Sequence, residues 1–205
     1  LKNDQSMELE ILNAAEKLFL KKGFALTSTT MIAKEVGCNQ ALVHYYFRTK
    51  EKLFESVFKN KLMIFFSSFM EIDTQGFSFE EKLRSKIEAH FDVLYENQQL
   101  PFLIINELIT NPDRISSIKE QFKDKLGTIF HQFTAELEVE IQKGNVRPVS
   151  PLDIVFSVLA LNVSFFILKP IILETLGLDD DQFNQFAAKR KEENVATILN
   201  SLRPQ

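Results

Sequence analysis

Apolar residues recur three and four positions apart along almost the whole chain, and no segment alternates with period two for long. That spacing gives each of a series of helices one apolar stripe and supplies no two-faced strands for a sheet. The expected fold class is all-α. The chain has 205 residues, 45% of them hydrophobic, and can bury a substantial core. Six Gly and six Pro are too few for a collagen-like, linker-rich or many-turned β architecture.

Local stop and start signals divide the pattern. A first helix is predicted over 4–22, with Ile11, Leu12, Ala15, Leu18 and Phe19 as its stripe and Gly23 just past its end. Two short helices follow over 30–36 and 40–47. A fourth runs from about 50 toward 70, and a loop is expected over 71–78. Helices are then predicted over 79–97, from Pro101 to before Asn111-Pro112, and over 115–143, the last with Ile118, Phe122, Phe130 and Phe133 among its apolar positions. Pro151 opens a helix that is apolar nearly all round, and Pro170 should end or kink it. Three acids at 179–181 suit the start of a last helix.

The helix after Pro151 constrains the assembly. Residues 154–168 are fifteen positions without a charge, short of the ~20 that a membrane span needs. No membrane partner is therefore expected. Such a helix must be covered on both sides, one by its own domain and the other by a second chain. The first ten residues carry no apolar signal-peptide core, and the one cysteine, Cys38, rules out an intrachain disulfide framework and a Cys-based zinc site. The expected location is cytoplasmic.

Enzyme chemistry finds no support. The glycines are isolated, so no phosphate-cradling loop is present, and neither His-Glu-x-x-His nor Gly-x-Ser-x-Gly occurs. His44, His90 and His131 are far apart in sequence. No catalytic residue, metal or cofactor is expected. The net charge is −4 overall, but residues 1–52 hold eight Lys/Arg against six Asp/Glu, so a polyanion should meet the N-terminal quarter.

That quarter contains TSTTMIAKEVGCNQALVHYYFRTKEKL at 27–53. Ala33 is small enough for two helices to approach closely, Gly37 can take the positive φ of a tight turn, and Asn39 is a favoured N-cap. Ile32, Val36, Val43 and Phe47 should point inward. The spacing of Ala33, Gly37 and Val43 matches a DNA-binding helix-turn-helix.

With ILNAAEKLFLKKGF upstream and HYYFRTKEKLFESVF downstream, residues 9–58 resemble the N-terminal domain of the TetR family of bacterial transcriptional regulators. His44 stands where that family usually has Tyr, and Asn39-Gln40-Ala41 where Ser-x-Gly is frequent. The resemblance implies a three-helix DNA-binding domain over 1–49. It also implies a helical effector-binding and dimerisation domain over 50–205, with the dimer interface on the last two helices. The implied function is a ligand-responsive regulator, most readily a repressor. It would bind palindromic operator DNA as a homodimer and be released by a small, largely apolar effector. Control by a partner protein, or a ligand-binding module without DNA activity, are the alternatives.

Within that frame each residue has a role. Gln40 and Ala41 open the reading helix, where Gln can pair bidentately with adenine and Ala can touch a thymine methyl, and Asn39 precedes them as cap. His44 and Tyr45 suit phosphate and sugar contacts one turn later, Lys50 suits a phosphate, and Thr29 suits a cap or a phosphate. The effector candidates are aromatic walls at Phe91, Tyr95, Phe102, Phe130, Phe133 and Phe166. Polar anchors would come from His90, Asn106, Glu107, His131, Thr134 and Asn162. The interface candidates are Val155, Leu159 and Phe166 on one helix, and Phe183, Phe186, Ala187, Arg190, Asn194 and Ile198 on the other.

Overall fold

The computed structural model describes residues 4–70, 76–111 and 113–204, with side chains placed for all of these except 4–5, 66–70 and 113–122. The expected loop over 71–75 and the side chains of Ile118 and Phe122 lie outside the described residues. Helices α1 (Asp4–Leu26), α2 (Thr29–Val36), α3 (Gln40–Phe47), α4 (Lys50–Met70), α5 (Phe79–Glu96), α6 (Leu100–Thr110), α7 (Asp113–Gln142), α8 (Pro151–Ile167), α9 (Lys169–Leu176) and α10 (Asp180–Ser201) account for the secondary structure, and no strand occurs among the described residues. The fold is all-α.

The boundaries follow the local chemistry. Ser28 caps α2 by accepting from the Met31 amide, and Asn39 caps α3 by accepting from the Leu42 amide at 2.8 Å. Ser78 with Glu81, and Asp179 with Gln182, form reciprocal capping boxes at α5 and α10. Pro170 lies in the first turn of α9, which departs from α8 by 52°. No single described helix is long and apolar enough to cross a membrane, although α8 and α9 taken together pass on length and composition.

The chain forms two compact units, one ending at Ile64 and the other starting at Phe65. In the first, Ile11, Ala15, Phe19, Ile32, Ala33 and Val43 are buried with Leu53, Phe54 and Val57 of α4. Rings of Phe19, Phe24 and Phe54 meet at centroid distances of 5.0–6.0 Å. Thr27 is buried in the turn before α2, and its hydroxyl donates to the Gly23 carbonyl at 2.8 Å.

In the second unit, Leu83 and Ile87 of α5, Ile154 and Val158 of α8, and Val195, Ile198 and Leu199 of α10 form the core with Leu137 of α7. A buried polar relay crosses its centre. The Asn194 side chain donates to Asn162 Oδ1 at 2.8 Å, and Asn162 Nδ2 donates to the Ile87 carbonyl at 3.0 Å. The same nitrogen lies 3.1 Å from His90 Nδ1. A donor amide there makes Nδ1 the acceptor and puts the ring proton on Nε2. Burial pushes the His90 pKa down from 6.5 to about 3, so the ring is neutral.

Candidate nucleic-acid interface and effector cavity

The helix-turn-helix is built tightly. Gly37 ends α2 at φ 76°, ψ 27°, and its amide and that of Cys38 return to carbonyls of the last turn. A side chain at that φ would be strained, although a Cβ would meet only open space. The turn aims the start of α3 outward: Asn39, Gln40, Ala41, His44 and Tyr45 are exposed, while Val43 and Phe47 are buried beneath them. Tyr45 is 63% exposed and stands edge-on to Tyr46. A phenol this free on the outer face of a packed helix is available to a ligand.

The outer face carries a connected network. Gln40 Nε2 donates to the Thr29 hydroxyl at 2.9 Å, and the Thr30 hydroxyl donates to Gln40 Oε1 at 3.1 Å. His44 Nδ1 lies 2.9 Å from the Arg48 carbonyl, and its Nε2 lies 3.3 Å from Gln40 Nε2. A carbonyl can only accept, so Nδ1 carries the proton and Nε2 accepts from the Gln40 amide. The amide is thus held with its donor and acceptor edges in fixed places by its hydroxyl and imidazole partners. Arg48 closes the helix at φ 64°, ψ −56°, and the Thr49 amide returns to the Phe47 carbonyl at 2.6 Å. That is a γ-turn in the sparsely populated positive-φ region, held in part by His44.

One threonine is placed differently from its expected capping role. Ser28, not Thr29, caps α2, and Thr29 instead holds Gln40. Lys50 is only partly exposed. Its ammonium donates to the Phe24 and Thr27 carbonyls at 2.9 Å each and lies 4.1 Å from the centre of the Phe24 ring. It secures the chain leading into α2, with one N–H left over for a phosphate.

The second unit contains a cavity of about 480 Å³ lined by α4, α5, α7 and α8. Phe65, Leu83, Ile87, Leu126, Phe130, Phe133, Ile154 and Val158 supply apolar wall. Gly127 leaves a gap in it, since a Cβ there would meet nothing within 4 Å. Lys86 is the one charged residue among the described lining. It is half-buried, and burial pushes its pKa below the usual lysine range, with Glu136 partly opposing the shift.

Residues 11–57 match the sequence profile of the bacterial regulatory proteins of the tetR family. The N-terminal region is that of a TetR-family DNA-binding domain. The fatty acid metabolism regulator protein of Bacillus subtilis (strain 168) is 27% identical to it over 147 residues, 72% of this chain and 74% of that one. HlyIIR, a hemolysin II transcriptional regulator, superposes with a TM-score of 0.63 at 24% identity, over 99% of this chain and 100% of its own. A regulatory protein of the tetR family from Rhodococcus RHA1 reaches a TM-score of 0.72 at 17% identity, over 97% and 98%. At these identities the solved structures speak for the fold, and the N-terminal match identifies a DNA-binding transcriptional regulator.

In the second unit the expected effector residues scatter. Phe130 and Phe133 line the cavity. His90 and Asn162 are fully buried in the polar relay, and Phe91 and Phe166 are buried against each other, their ring centres 5.0 Å apart. Glu107 is buried and accepts from Asn111 Nδ2 at 2.9 Å. Phe102, Asn106 and His131 are exposed, Tyr95 is half-buried, and the Thr134 hydroxyl donates to the Phe130 carbonyl. None of these lines the cavity. Leu83, Lys86, Ile87, Gly127 and Phe65 do, and sequence reasoning missed them in this role.

The expected interface residues differ in burial. Phe166, Phe183, Ala187, Asn194 and Ile198 are at most 3% exposed within the single chain. They lie on the inward stripes of α8 and α10. Val155 and Leu159 line the cavity. Phe186 is 38% exposed and Arg190 half-exposed. The outward apolar face of α8 is instead Leu152 and Phe156, at 64% and 73% exposure.

Proposed function

We propose that the protein is a homodimeric transcriptional repressor that binds a palindromic operator through α3 and is released by an apolar effector held in the cavity of the second unit. The observation that carries the DNA-binding part is the exposed row Gln40, Ala41, His44 and Tyr45 on a helix whose inner face is fully packed. Gln40 reads an adenine edge and Ala41 a thymine methyl. His44, Tyr45, Thr29 and the remaining N–H of Lys50 meet sugar and phosphate, and Asn39 fixes the start of the reading helix. The homodimer reading is supported by the outward apolar face of α8. The effector reading is supported by a cavity of small-molecule size with an almost wholly apolar wall. α4 carries both Lys50 and the cavity residue Phe65, so a ligand against Phe65 touches the same helix that anchors the turn before α2.

The test is selection of DNA sequences by the purified protein across a salt series, repeated with Gln40→Ala. A palindromic site is expected, with half-sites about 34–36 Å apart or a multiple of it. Affinity should fall steeply with salt, and Gln40→Ala should flatten the preference at one position of each half-site. Salt-independent or absent binding would remove the regulator reading.

A further inference from the structure

The cavity wall poses a chemical question that an apolar effector alone does not answer. Every described lining residue except Lys86 is apolar or glycine, so a sugar, nucleotide or polyhydroxylated ligand would bury polar groups without partners. Yet a lysine, Lys86, contributes to that wall. Lys86 makes no hydrogen bond or ion pair among the described residues. One turn before it on α5, Lys82 takes the nearby carboxylate, its Nζ 2.8 Å from Glu136 Oε1. One turn further along α7, Glu140 is occupied by Lys143 at 2.8 Å and by Asn145 at 2.7 Å. Two lysines thus share one carboxylate, and the charge left over belongs to the residue on the cavity wall.

Gly127 adds an independent sign that the space is meant to be filled. Gly23, Gly37, Gly76, Gly144 and Gly177 have positive φ and serve turns or helix ends, whereas Gly127 is inside α7 with ordinary helical geometry. A glycine there weakens a helix relative to alanine, and what it provides is room in the wall.

Building on the reading of this cavity as the effector site, we propose that the ligand is an anionic amphiphile, an unbranched aliphatic carboxylate, whose chain fills the apolar volume and whose carboxylate pairs with Lys86. The carboxylate supplies the missing negative charge beside Lys82, Glu136 and Lys86. The burial that holds the Lys86 pKa down is offset when its counter-ion arrives.

The experiment is equilibrium dialysis of the purified full chain against radiolabelled palmitate, hexadecanol and palmitoyl-CoA, each below its micellar concentration. Wild type is expected to bind palmitate about tenfold more tightly than hexadecanol, the size of a charge-assisted hydrogen bond. Lys86→Met should erase that difference and leave hexadecanol binding unchanged, and Lys86→Arg should keep it. Gly127→Leu should abolish binding of both. Equal binding of acid and alcohol by wild type, or a preference that survives in Lys86→Met, overturns the assignment of the carboxylate to Lys86. If Gly127→Leu still blocks both ligands, the cavity reading itself stands. Palmitoyl-CoA binding more tightly than palmitate overturns the free carboxylate. Binding untouched by Gly127→Leu overturns the proposal and the cavity reading together.

Discussion

Lys50 is a residue whose structural and functional roles pull in the same direction but read out differently. Its ammonium answers two carbonyls in the segment that leads into α2, and its charge rests on the Phe24 ring. Removing it takes one charged donor from each of those carbonyls. Lys50→Ala should therefore lower folding stability by about 2 kcal/mol, as loss of charged hydrogen bonds does. Lys52, exposed two positions later, should stay within about 0.5 kcal/mol when changed to Ala. Urea titrations of both variants decide this. Equal stabilities would mean that Lys50 is an ordinary surface lysine. Reduced DNA affinity in Lys50→Ala is therefore to be judged only alongside its stability, and so is that of Gln40→Ala, which removes the exposed contacts to Thr29, Thr30 and His44.

His90 is the second residue with a measurable consequence. Its folded pKa of about 3 lies below the unfolded value near 6.5, because burial disfavours the charged ring. Between those values the unfolded chain binds a proton that the folded chain does not. Stability therefore rises with pH through that window and is lost on acidification from pH 6.5 downward. From pH 8 to pH 5 the loss from this one group is about 2 kcal/mol. Carboxylates add their own acid dependence, so the comparison is with His90→Gln, which keeps an acceptor for Asn162. The wild type should lose about 2 kcal/mol more than the variant between those two pH values. Parallel losses would place a charged histidine in the fold.

At the scale of elements, α7 offers the cleanest test. Gly127 is interior to a 30-residue helix, and nothing lies within 4 Å of where its Cβ would stand. Gly127→Ala should raise stability by about 1 kcal/mol through helix propensity alone. A loss of stability would mean that the wall closes on that point in solution. The helices themselves were legible in the sequence. Gly23, Gly37, Asn111, Gly144, Pro151 and Gly177 are local signals, and each lies at or beside a kink or helix end. The direction each face of α8 points was not legible. A helix apolar nearly all round has no phase to read, so the sequence does not separate Val155 and Leu159, which line the cavity, from Leu152 and Phe156, which face outward. Lys86 carried a faint signal, a charge at the edge of the stripe Leu83, Ile87, His90, Leu94. Gly127 carried a clearer one, as the only glycine inside a predicted helix.

Among the exposed apolar surfaces of the described residues, the one on α8 bears on assembly. Leu152 and Phe156 are one turn apart on α8 and well over half exposed, beside a core that Ile154 and Val158 of the same helix help to build. Exposed leucine or phenylalanine taken singly needs no explanation, but two one turn apart on the same helix form the start of a patch. If the homodimer is built there, the two copies bury this face against each other in an isologous contact. A charge placed at Phe156 would then face its own image across the two-fold. Phe156→Glu should convert the dimer to monomer in sedimentation-velocity runs at micromolar concentration. It should also cost affinity for a two-half-site operator far more than for a single half-site, because only the dimer engages both grooves at once. The fold should survive, since Phe156 contributes little to the buried core, and an unchanged far-ultraviolet circular dichroism spectrum would verify that. A variant that stays dimeric and keeps its preference for the full palindrome would move the interface off this face of α8, to the flank where Phe186 and Arg190 of α10 reach the surface.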